Sequence, residues 1–185
     1  GAEIGAHCVI TSSVVESGAK VRSSTLDGAL VSRGAEVGPY AYLRPGSRIG
    51  AGAKIGDHVE IKNSRIGAGT KVCHLAYVGD ADIGEDCNIG AGTVFANYDG
   101  AAKHRTVLGK KVFVGSNSTL VAPLDIGSGA FIAAGSVITT DVPERALAIS
   151  RAPAAVKEDW QKNAYTRDAK DNRTAPGGAH SEGYN

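Results

Sequence analysis

Two cations in this chain occupy matching places where smaller residues are the rule. Arg44 follows Leu43, and Lys62 follows Ile61 about 18 positions later. If the fold stacks these positions, the two like charges repel each other, and a bound anion would relieve the repulsion. Phosphate suits the pair because arginine grips it through two hydrogen bonds and lysine adds a point charge. Pairing with a nearby carboxylate such as that of Glu60 is the alternative, and the spacing leaves both open.

A histidine in a row of small residues is the second candidate for chemistry. His74 falls in a row that also holds Pro39, Asp57, Ala91, Ser116 and Ala134. Small side chains leave a groove, and an imidazole with an ordinary pKa near ~6.5 could act there as a general base. A solvated surface histidine is the alternative. The other histidines show no compact ligand spacing, which disfavours a zinc site.

A six-residue repeat predicts the elements that position these residues. An aliphatic residue followed by a small one recurs at 49–50, 55–56, 66–67, 83–84, 89–90, 114–115 and 126–127. This period matches neither the alternation of a strand nor the turn of a helix. It is typical of a hexapeptide β-solenoid, in which three hexads form one triangular coil. We predict about eight coils, from the start of the chain to about Val142.

The repeat predicts three inward columns of side chains, because residues about 18 positions apart lie above one another at the ~4.8 Å strand spacing. Every position in the three columns is apolar. The first column is Val31, Ile49, Ile66, Ile83, Leu108 and Ile126. The second is Val37, Ile55, Val72, Ile89, Val114 and Ile132. The third is Leu43, Ile61, Val78, Phe95, Leu120 and Ile138.

One interval, from the third column to the first column of the next coil, is too long. Between Phe95 and Leu108 the chain holds one hexad plus seven extra residues, which must leave the coil as a loop. The loop contains the strings 97–100 (Asn-Tyr-Asp-Gly) and 103–105 (Lys-His-Arg). Ordered loops on a rigid scaffold are favoured places for function. We therefore expect this loop to contribute to a site.

The composition excludes several classes of protein. Glycine accounts for 25 of 185 residues but follows the hexad, which excludes collagen and flexible linkers. A net charge of +1 argues against a basic nucleic-acid surface or a polybasic membrane anchor. No apolar run approaches the ~20 residues of a membrane-spanning helix and no signal peptide is visible, so a cytoplasmic location is expected.

The organisation of the chain follows from where the repeat stops. We predict a β-helix domain over 1–151 and a largely irregular or disordered tail over 152–185. Residues 147–160 could hold one last strand and a short turn of helix, whereas 161–185 are polar and without periodicity. The chain lacks methionine and begins within a repeat, so we expect it to come from a longer protein with an upstream domain.

Seven strings in the chain resemble the acetyltransferase domain of the bacterial bifunctional N-acetylglucosamine-1-phosphate uridyltransferase/glucosamine-1-phosphate acetyltransferase family. The resemblance covers about two-thirds of the chain, from Pro39 to Trp160. The strings are 42–46, 59–64, 74–81, 88–93, 97–100, 114–116 and 146–151. The resemblance implies an all-β fold, a left-handed parallel β-helix. A hexapeptide repeat alone, by contrast, is shared by many acyltransferases.

The resemblance also implies roles for particular residues. The phosphate of glucosamine 1-phosphate would bind Arg44 and Lys62, with Tyr77, Asn88 and Lys103 completing the pocket. His74 would be the general base, and Asn97 would orient the amine. Acetyl-CoA would contact Ala91, Ser116, Ala134 and Arg151 along a groove of four coil rises, roughly 19 Å.

The implied reaction is direct acetyl transfer from acetyl-CoA to the amine, on the route to UDP-N-acetylglucosamine and the cell wall. The backbone N–H of Ala91 would stabilise the developing oxyanion. No metal is needed for this transfer. The resemblance implies a homotrimer with active sites between subunits and no nucleic-acid or membrane partner. The uridyltransferase half is not in this sequence, so acetylation without uridylylation is expected.

Three alternatives remain at this stage. A related hexapeptide acyltransferase with another amino-sugar acceptor would share the groove without needing Arg44 and Lys62 together. A carbonic anhydrase on a similar solenoid would need three histidine ligands and zinc. A solenoid without catalytic activity would release no thiol from acetyl-CoA.

Overall fold

The computed structural model describes residues 1–158 and Trp160, and its regular elements are short β-strands. The strands are β1 Glu3–Ile4, β2 Val9–Thr11, β3 Val14–Val15, β4 Lys20–Val21, β5 Thr25–Asp27, β6 Leu30–Val31, β7 Glu36–Val37, β8 Tyr42–Leu43, β9 Arg48–Ile49, β10 Lys54–Asp57, β11 Glu60–Lys62, β12 Arg65–Ile66, β13 Lys71–His74, β14 Tyr77–Gly79, β15 Ala81–Ile83, β16 Asn88–Ile89, β17 Val94–Ala96, β18 Thr106–Leu108, β19 Phe113–Val114, β20 Thr119–Val121, β21 Leu124–Ile126, β22 Phe131–Ile132, β23 Val137–Ile138 and β24 Leu147–Ala148.

The strands form three parallel sheets that wrap around one core. Sheet A has nine strands in the order β1-β4-β7-β10-β13-β16-β19-β22-β24. Sheet B has eight, β2-β5-β8-β11-β14-β17-β20-β23, and sheet C has seven, β3-β6-β9-β12-β15-β18-β21. From β1 to β23 each sheet takes every third strand, so one coil contributes one strand to each side of a triangular prism, and β24 then adds to sheet A directly after β22. This architecture confirms the predicted β-solenoid and is consistent with a left-handed β-helix.

The register of the sheets confirms the three predicted columns. In sheet A, Ile55 pairs with Val37 and Val72, and in sheet B, Ile61 pairs with Leu43 and Val78. The members of all three columns are buried, at 5% exposure or less. Phe95 has the largest of the fully buried side chains. Burial of this apolar surface is the main stabilising term of the coil.

The small residue after each inward aliphatic has a steric cause. A Cβ added at Gly67 would lie 2.3 Å from the carbonyl carbon of Gly84, and one added at Gly115 would lie 2.4 Å from the backbone nitrogen of Ala134. Backbone atoms of the next coil therefore fill this position at the ends of sheets A and C. The end of sheet B is different, since a Cβ at Gly79 meets only side-chain atoms among its nearest neighbours.

Compact packing extends over the unit from Gly1 to Arg151. The expected last strand is present as β24, and no strand is assigned in residues 149–158. The prediction of a disordered segment at 161–185 lies outside the described residues, and the predicted division into two domains stays a prediction. No helix in the described part of the chain is long and apolar enough to cross a membrane.

The columns predict that alanine substitutions at two neighbouring positions of β17 lower the free energy of unfolding by very different amounts. Phe95→Ala should lower the free energy of unfolding by about 3–5 kcal/mol, because it leaves a cavity in a closed core. Val94→Ala, at a position that is 41% exposed on the same strand, should cost less than about 1 kcal/mol. Denaturant titration of both variants provides the measurement, and equal losses would contradict the inward assignment of Phe95.

Candidate active site

The end of sheet B is the place where the coil allows large side chains after the inward aliphatic. Lys62 pairs in register with Gly79 of the next coil, and the backbone N–H of Arg44 donates to the carbonyl oxygen of Ile61 at 2.8 Å. Arg44, Lys62, Gly79 and Asp80 therefore follow one corner of the prism, which we call the B/C edge. The predicted stacking of the two cations is found.

Arg44 pairs with a carboxylate on the neighbouring strand. Its Nη1 donates to Oε1 of Glu60 at 2.7 Å, and this hydrogen bond raises the pKa of Arg44 above its ordinary value. The carboxylate alternative considered from the sequence thus describes Arg44 in the free chain. Both side chains are more than a third exposed, so solvent screens the pair and an incoming anion can compete for the guanidinium group.

Lys62 lies among charges of both signs. The neighbouring Lys103 lowers its pKa, as do burial and the charge of Arg44, whereas the charge of Asp80 acts in the opposite direction. Its ammonium nitrogen lies 3.9 Å from Oδ2 of Asp80. Because Lys103 belongs to the 97–105 loop, the loop brings a third cation to the B/C edge. Three cations beside the two carboxylates of Glu60 and Asp80 leave an excess of positive charge, which favours an anionic ligand.

Asp80 is a buried carboxylate at the base of this cluster. It is 7% exposed; its Oδ1 accepts from Nδ2 of Asn63 at 2.5 Å, and its Oδ2 accepts from Nδ2 of Asn97. Burial acts to raise the pKa of Asp80, but the two amide hydrogen bonds and the charges of Lys62 and Lys103 lower it below its ordinary value. The carboxylate is therefore ionised at neutral pH.

The 97–105 loop leaves the coil at the B/C edge without disturbing the register, since Thr106 pairs with Ala81 and Leu108 with Ile83 immediately afterwards. Arg105 holds the loop to the prism. Its Nη1 lies 3.1 Å from Oδ2 of Asp82, and its Nη2 donates to the carbonyl oxygen of Asn63 at 3.3 Å. The predicted excursion is confirmed as an ordered loop.

Asp99 closes the tip of the loop. Its Oδ1 accepts from the backbone N–H groups of Ala101 at 2.8 Å and Ala102 at 2.7 Å, and its Oδ2 lies 2.6 Å from Nε2 of His104. These contacts hold the pKa of Asp99 well below its ordinary range. Tyr98 and Lys103 form an antiparallel bridge across the turn. The turn thereby fixes the backbone position from which the Lys103 side chain extends.

Tyr77 completes the side of the B/C edge, and it requires glycine at position 79. A Cβ at Gly79 would lie 2.4 Å from the Tyr77 hydroxyl oxygen and 2.8 Å from Nδ2 of Asn97. The Tyr77 ring and the Asn97 amide thus occupy the space that a side chain at position 79 would need. The structure brings Tyr77 to the same corner as Arg44, Lys62 and Asn97.

The second cluster follows the corner between sheets A and B, which we call the A/B edge. Asp57 pairs in register with His74, and Nδ1 of His74 lies 2.8 Å from Oδ1 of Asp57. This hydrogen bond lowers the pKa of Asp57. His74 is exposed, and its Nε2 is free of hydrogen bonds within the described residues. A carboxylate on Nδ1 favours the tautomer with a lone pair on Nε2, as a general base requires.

The row of small residues continues along the A/B edge beyond His74. Its members Ala91, Ser116 and Ala134 follow two residues after Ile89, Val114 and Ile132, which pair in register in sheet A. Ser116 and Ala134 are exposed and Ala91 is half-buried. No backbone hydrogen bond among the described residues uses the Ala91 N–H. The predicted groove is therefore an accessible row with a free donor.

Two predicted residues lie apart from these clusters. Asn88 occupies the outward face of sheet A, in register between Lys71 and Phe113, and no described contact joins it to the B/C edge. Arg151 follows β24, and its Cδ would lie 3.9 Å from a Cβ at Gly135, close to the end of the row of small residues.

Three residues of the site were not singled out from the sequence. Asp57 was grouped with the small residues, yet its position one coil below His74 was the available signal for a paired carboxylate. Asp80 and Asp99 gave no signal in the repeat, because Asp80 is a turn residue and Asp99 lies in the loop. Their contacts depend on side-chain directions that a period does not encode.

The two edges are separate within one chain. His74 and Gly79 are joined by a single side of the prism, and at ~3.3 Å per residue their backbones lie up to about 16 Å apart. No side-chain hydrogen bond or ion pair among the described residues links the A/B edge to the B/C edge. A histidine paired with a carboxylate and a cluster of cations thus lie on neighbouring corners.

Comparison with known proteins identifies the family of the chain. Residues 25–124 match the family model of the GMPPB C-terminal domain. The chain is 52% identical over 161 residues to the bifunctional protein GlmU of Stutzerimonas stutzeri, covering 86% of this chain and 36% of that protein. It is 52% identical over 163 residues to GlmU of Brevibacillus brevis, covering 85% and 35%. The chain thus spans about a third of the length of these curated relatives.

One group of solved structures is similar enough to compare in detail. A mutant of GDP-perosamine N-acetyl transferase from Caulobacter crescentus, in complex with CoA and GDP-perosamine, gives a TM-score of 0.55 at 27% identity, covering 66% of this chain and 57% of that one.

Fold and repeat together define a parallel β-solenoid of the hexapeptide class. The chain belongs to the GMPPB C-terminal domain family, and its relatives confirm the resemblance to the acetyltransferase domain of the bifunctional enzyme.

The Asp57–His74 contact predicts a titration change. In His74→Ala, Asp57 loses the hydrogen bond that contributes most to its lowered pKa, so that pKa should rise towards the ordinary value near ~3.9. Carboxyl-carbon NMR titration of the variant and the natural chain measures the difference. His58→Ala is the control, since His58 Nδ1 lies 3.5 Å from the other oxygen of Asp57. An equal or larger rise in the control would contradict the assignment.

The turn at Asp99 predicts acid-resistant loop order. A lowered pKa in the folded state means that the stabilising contribution is complete above ~3.9 and is lost only as pH falls through the lower folded value. The amides of Ala101 and Ala102 should therefore stay protected from hydrogen exchange near pH 4. Asp99→Ala should lose this protection at every pH, and Asp99→Asn should keep part of it. Equal protection in all three chains would exclude the capping role.

Proposed function

We propose that the chain transfers the acetyl group of acetyl-CoA to the amine of glucosamine 1-phosphate, giving N-acetylglucosamine 1-phosphate. The observation that carries this proposal is the convergence of Arg44, Lys62 and Lys103 at the B/C edge. A phosphate monoester carries the charge and the oxygen acceptors that such a cluster binds. The product would lie on the route to UDP-N-acetylglucosamine and the cell wall.

Binding of the phosphate would replace the present partners of the cations. The guanidinium group of Arg44 would exchange part of its contact with Glu60 for phosphate oxygens, and Lys62 and Lys103 would lose their mutual repulsion. Tyr77 would offer its hydroxyl group to the sugar. Asn88, which lies outside this cluster in a single chain, would reach the sugar only from another copy of the chain.

Acetyl-CoA would lie along the A/B edge. Ala91, Ser116 and Ala134 leave room for a narrow, extended molecule, and Arg151 at the far end would meet an anionic group of the cofactor. The perosamine N-acetyltransferase, similar to this chain in fold, is a protein solved with CoA and an amino-sugar nucleotide. That likeness supports an acyl donor of the CoA class.

The reaction requires one proton acceptor and one oxyanion donor. The neutral amine nitrogen would form a bond to the thioester carbon, and as positive charge develops on that nitrogen, Nε2 of His74 would accept one of its protons while Asp57 holds the imidazole by Nδ1. The free N–H of Ala91 would stabilise the negative charge on the oxygen of the tetrahedral intermediate. The C–S bond breaks, and the CoA sulfur takes up the proton carried by His74. No covalent acyl-enzyme is required.

We propose that the complete site forms between copies of the chain in a homotrimer. His74 and the cations lie on different corners and no described contact joins them, so His74 of one copy and the cations of another would share the substrate. The same proposal places the reaction in the cytoplasm, with no nucleic acid or membrane as partner. Because the chain is about a third as long as its curated relatives, uridylylation is not proposed for this stretch.

A second candidate is acetylation of another amino sugar by the same groove. It is favoured by the likeness to an enzyme solved with GDP-perosamine, which carries its phosphates in a nucleotide. The test compares thiol release from acetyl-CoA with glucosamine 1-phosphate, unphosphorylated glucosamine and a nucleotide-linked amino sugar. Preference for glucosamine 1-phosphate supports the first proposal, preference for the nucleotide-linked sugar supports the second, and no release with any acceptor excludes both.

His74→Ala should reduce kcat by ~10²- to 10⁴-fold, because the transfer loses its general base. The free-thiol assay measures the rate, and size-exclusion chromatography shows whether the assembly is intact.

Arg44→Ala should mainly raise KM for glucosamine 1-phosphate and leave KM for acetyl-CoA unchanged. Near-normal turnover in His74→Ala, or an effect of Arg44→Ala confined to acetyl-CoA, would contradict the assigned roles.

A further inference from the structure

We propose that Asp80 is a positioning residue that fixes the orientation of the Asn97 amide, so that the Asn97 carbonyl oxygen accepts a hydrogen bond from the substrate amine. This inference rests on the proposed function. It assigns to Oδ1 of Asn97, held in place by Asp80, the role of distinguishing an amine from other substituents of the sugar. The geometry behind it is the contact of the Asn97 amide nitrogen with a buried carboxylate at the base of the loop.

The chemistry of the contact determines which end of the amide is free. An ionised carboxylate only accepts hydrogen bonds, so the end of the Asn97 side chain that faces Asp80 must be the NH2 group. Asn63 donates to the other oxygen of Asp80 at 2.5 Å, and Lys62 lies 3.9 Å from the carboxylate. These neighbours, together with the lowered pKa of Asp80, keep the carboxylate ionised at neutral pH.

The side-chain carbonyl oxygen of Asn97, Oδ1, has no partner in the described residues, whereas its backbone carbonyl oxygen accepts from the N–H of His104. No hydrogen bond to Asn97 Oδ1 is present there, and the single fully buried polar side-chain atom without a partner is Oγ1 of Thr106. Oδ1 of Asn97 therefore keeps contact with solvent, although the residue as a whole is only 7% exposed. An acceptor in this state recognises a donor from a ligand without losing an internal bond.

An acceptor beside the cation cluster suits the amine of the proposed substrate. When the phosphate lies on Lys62, an N–H of the sugar amine can donate to Asn97 Oδ1, and this hydrogen bond directs the nitrogen lone pair away from the loop. A reversed amide would present N–H groups instead and repel the amine hydrogens. Asp80 thus contributes to the orientation of the substrate amine, and loss of this orientation lowers the rate of acetyl transfer by a large factor.

The isosteric variant Asp80→Asn separates this role from a structural one. Asparagine tolerates the left-handed backbone conformation of position 80, where φ is 50°. Its amide can face Asn97 with either end, so the orientation of Asn97 is no longer fixed. The matched control is Asp86→Asn in the same coil, where φ is 55° and the side chain is exposed on the corner that precedes β16.

The measurements are kcat for glucosamine 1-phosphate, binding of glucose 1-phosphate as an analogue without the amine, and hydrogen exchange of the Asn97 side-chain NH2 by NMR. Asp80→Asn should lower kcat on the order of 10- to 100-fold. It should keep or strengthen binding of glucose 1-phosphate, because Lys62 loses a competing carboxylate. The Asn97 NH2 protons should exchange faster than in the natural chain, and Asp86→Asn should change none of the three.

Unchanged kcat in Asp80→Asn, or unchanged exchange of the Asn97 NH2 group, would overturn the inference. Parallel loss of kcat and of glucose 1-phosphate binding would also overturn it, because that pattern is expected from a structural defect. If the natural chain releases no thiol with glucosamine 1-phosphate, the proposed function fails, and the amine-reading role fails with it. Faster exchange of the Asn97 NH2 group in Asp80→Asn would in that case still support the contact itself.

Discussion

The structure depends on one constraint, the register of parallel strands that repeat at ~4.8 Å. Every side chain has a neighbour directly above and below it, contributed by residues about one coil away in the sequence. Apolar residues inside the prism gain from this arrangement, since each column forms a continuous core. Charged residues outside it stack in the same way, and water screens those that have a like charge as neighbour, such as Lys54 on Lys71 and Arg48 on Arg65. The candidate site lies where several cations meet at one corner.

The outer face of sheet A includes stacked pairs of opposite charge. Lys20 lies 3.9 Å from Glu3, and Lys54 lies 3.6 Å from Glu36, each pair in register on adjacent strands. The B/C edge differs from these pairs, because it gathers the three cations Arg44, Lys62 and Lys103 beside only two carboxylates, those of Glu60 and Asp80. Excess charge of one sign, held on a rigid scaffold, is a property of binding sites more often than of stable surfaces.

The sequence was sufficient to predict the columns, the coil and the excursion of the loop, because each follows from a period or from its interruption. It was also sufficient to stack Arg44 on Lys62 and to place His74 in a row of small residues. The contacts of Asp57, Asp80 and Asp99 were not predicted. They depend on side-chain rotamers and on loop closure, which bring together residues that share no period. The separation of the two edges likewise appears only when the width of sheet B is known.

The loop at 97–105 leaves the prism and returns to it with the columns intact on both sides. Insertions at a corner therefore carry no penalty in the core, provided that the next aliphatic residue re-enters its place. The corners of such a solenoid are positions where new segments can be inserted without changing the register or the core of the scaffold. A segment inserted at a corner can therefore change what the chain contacts there, while the three columns that hold the prism together stay as they are.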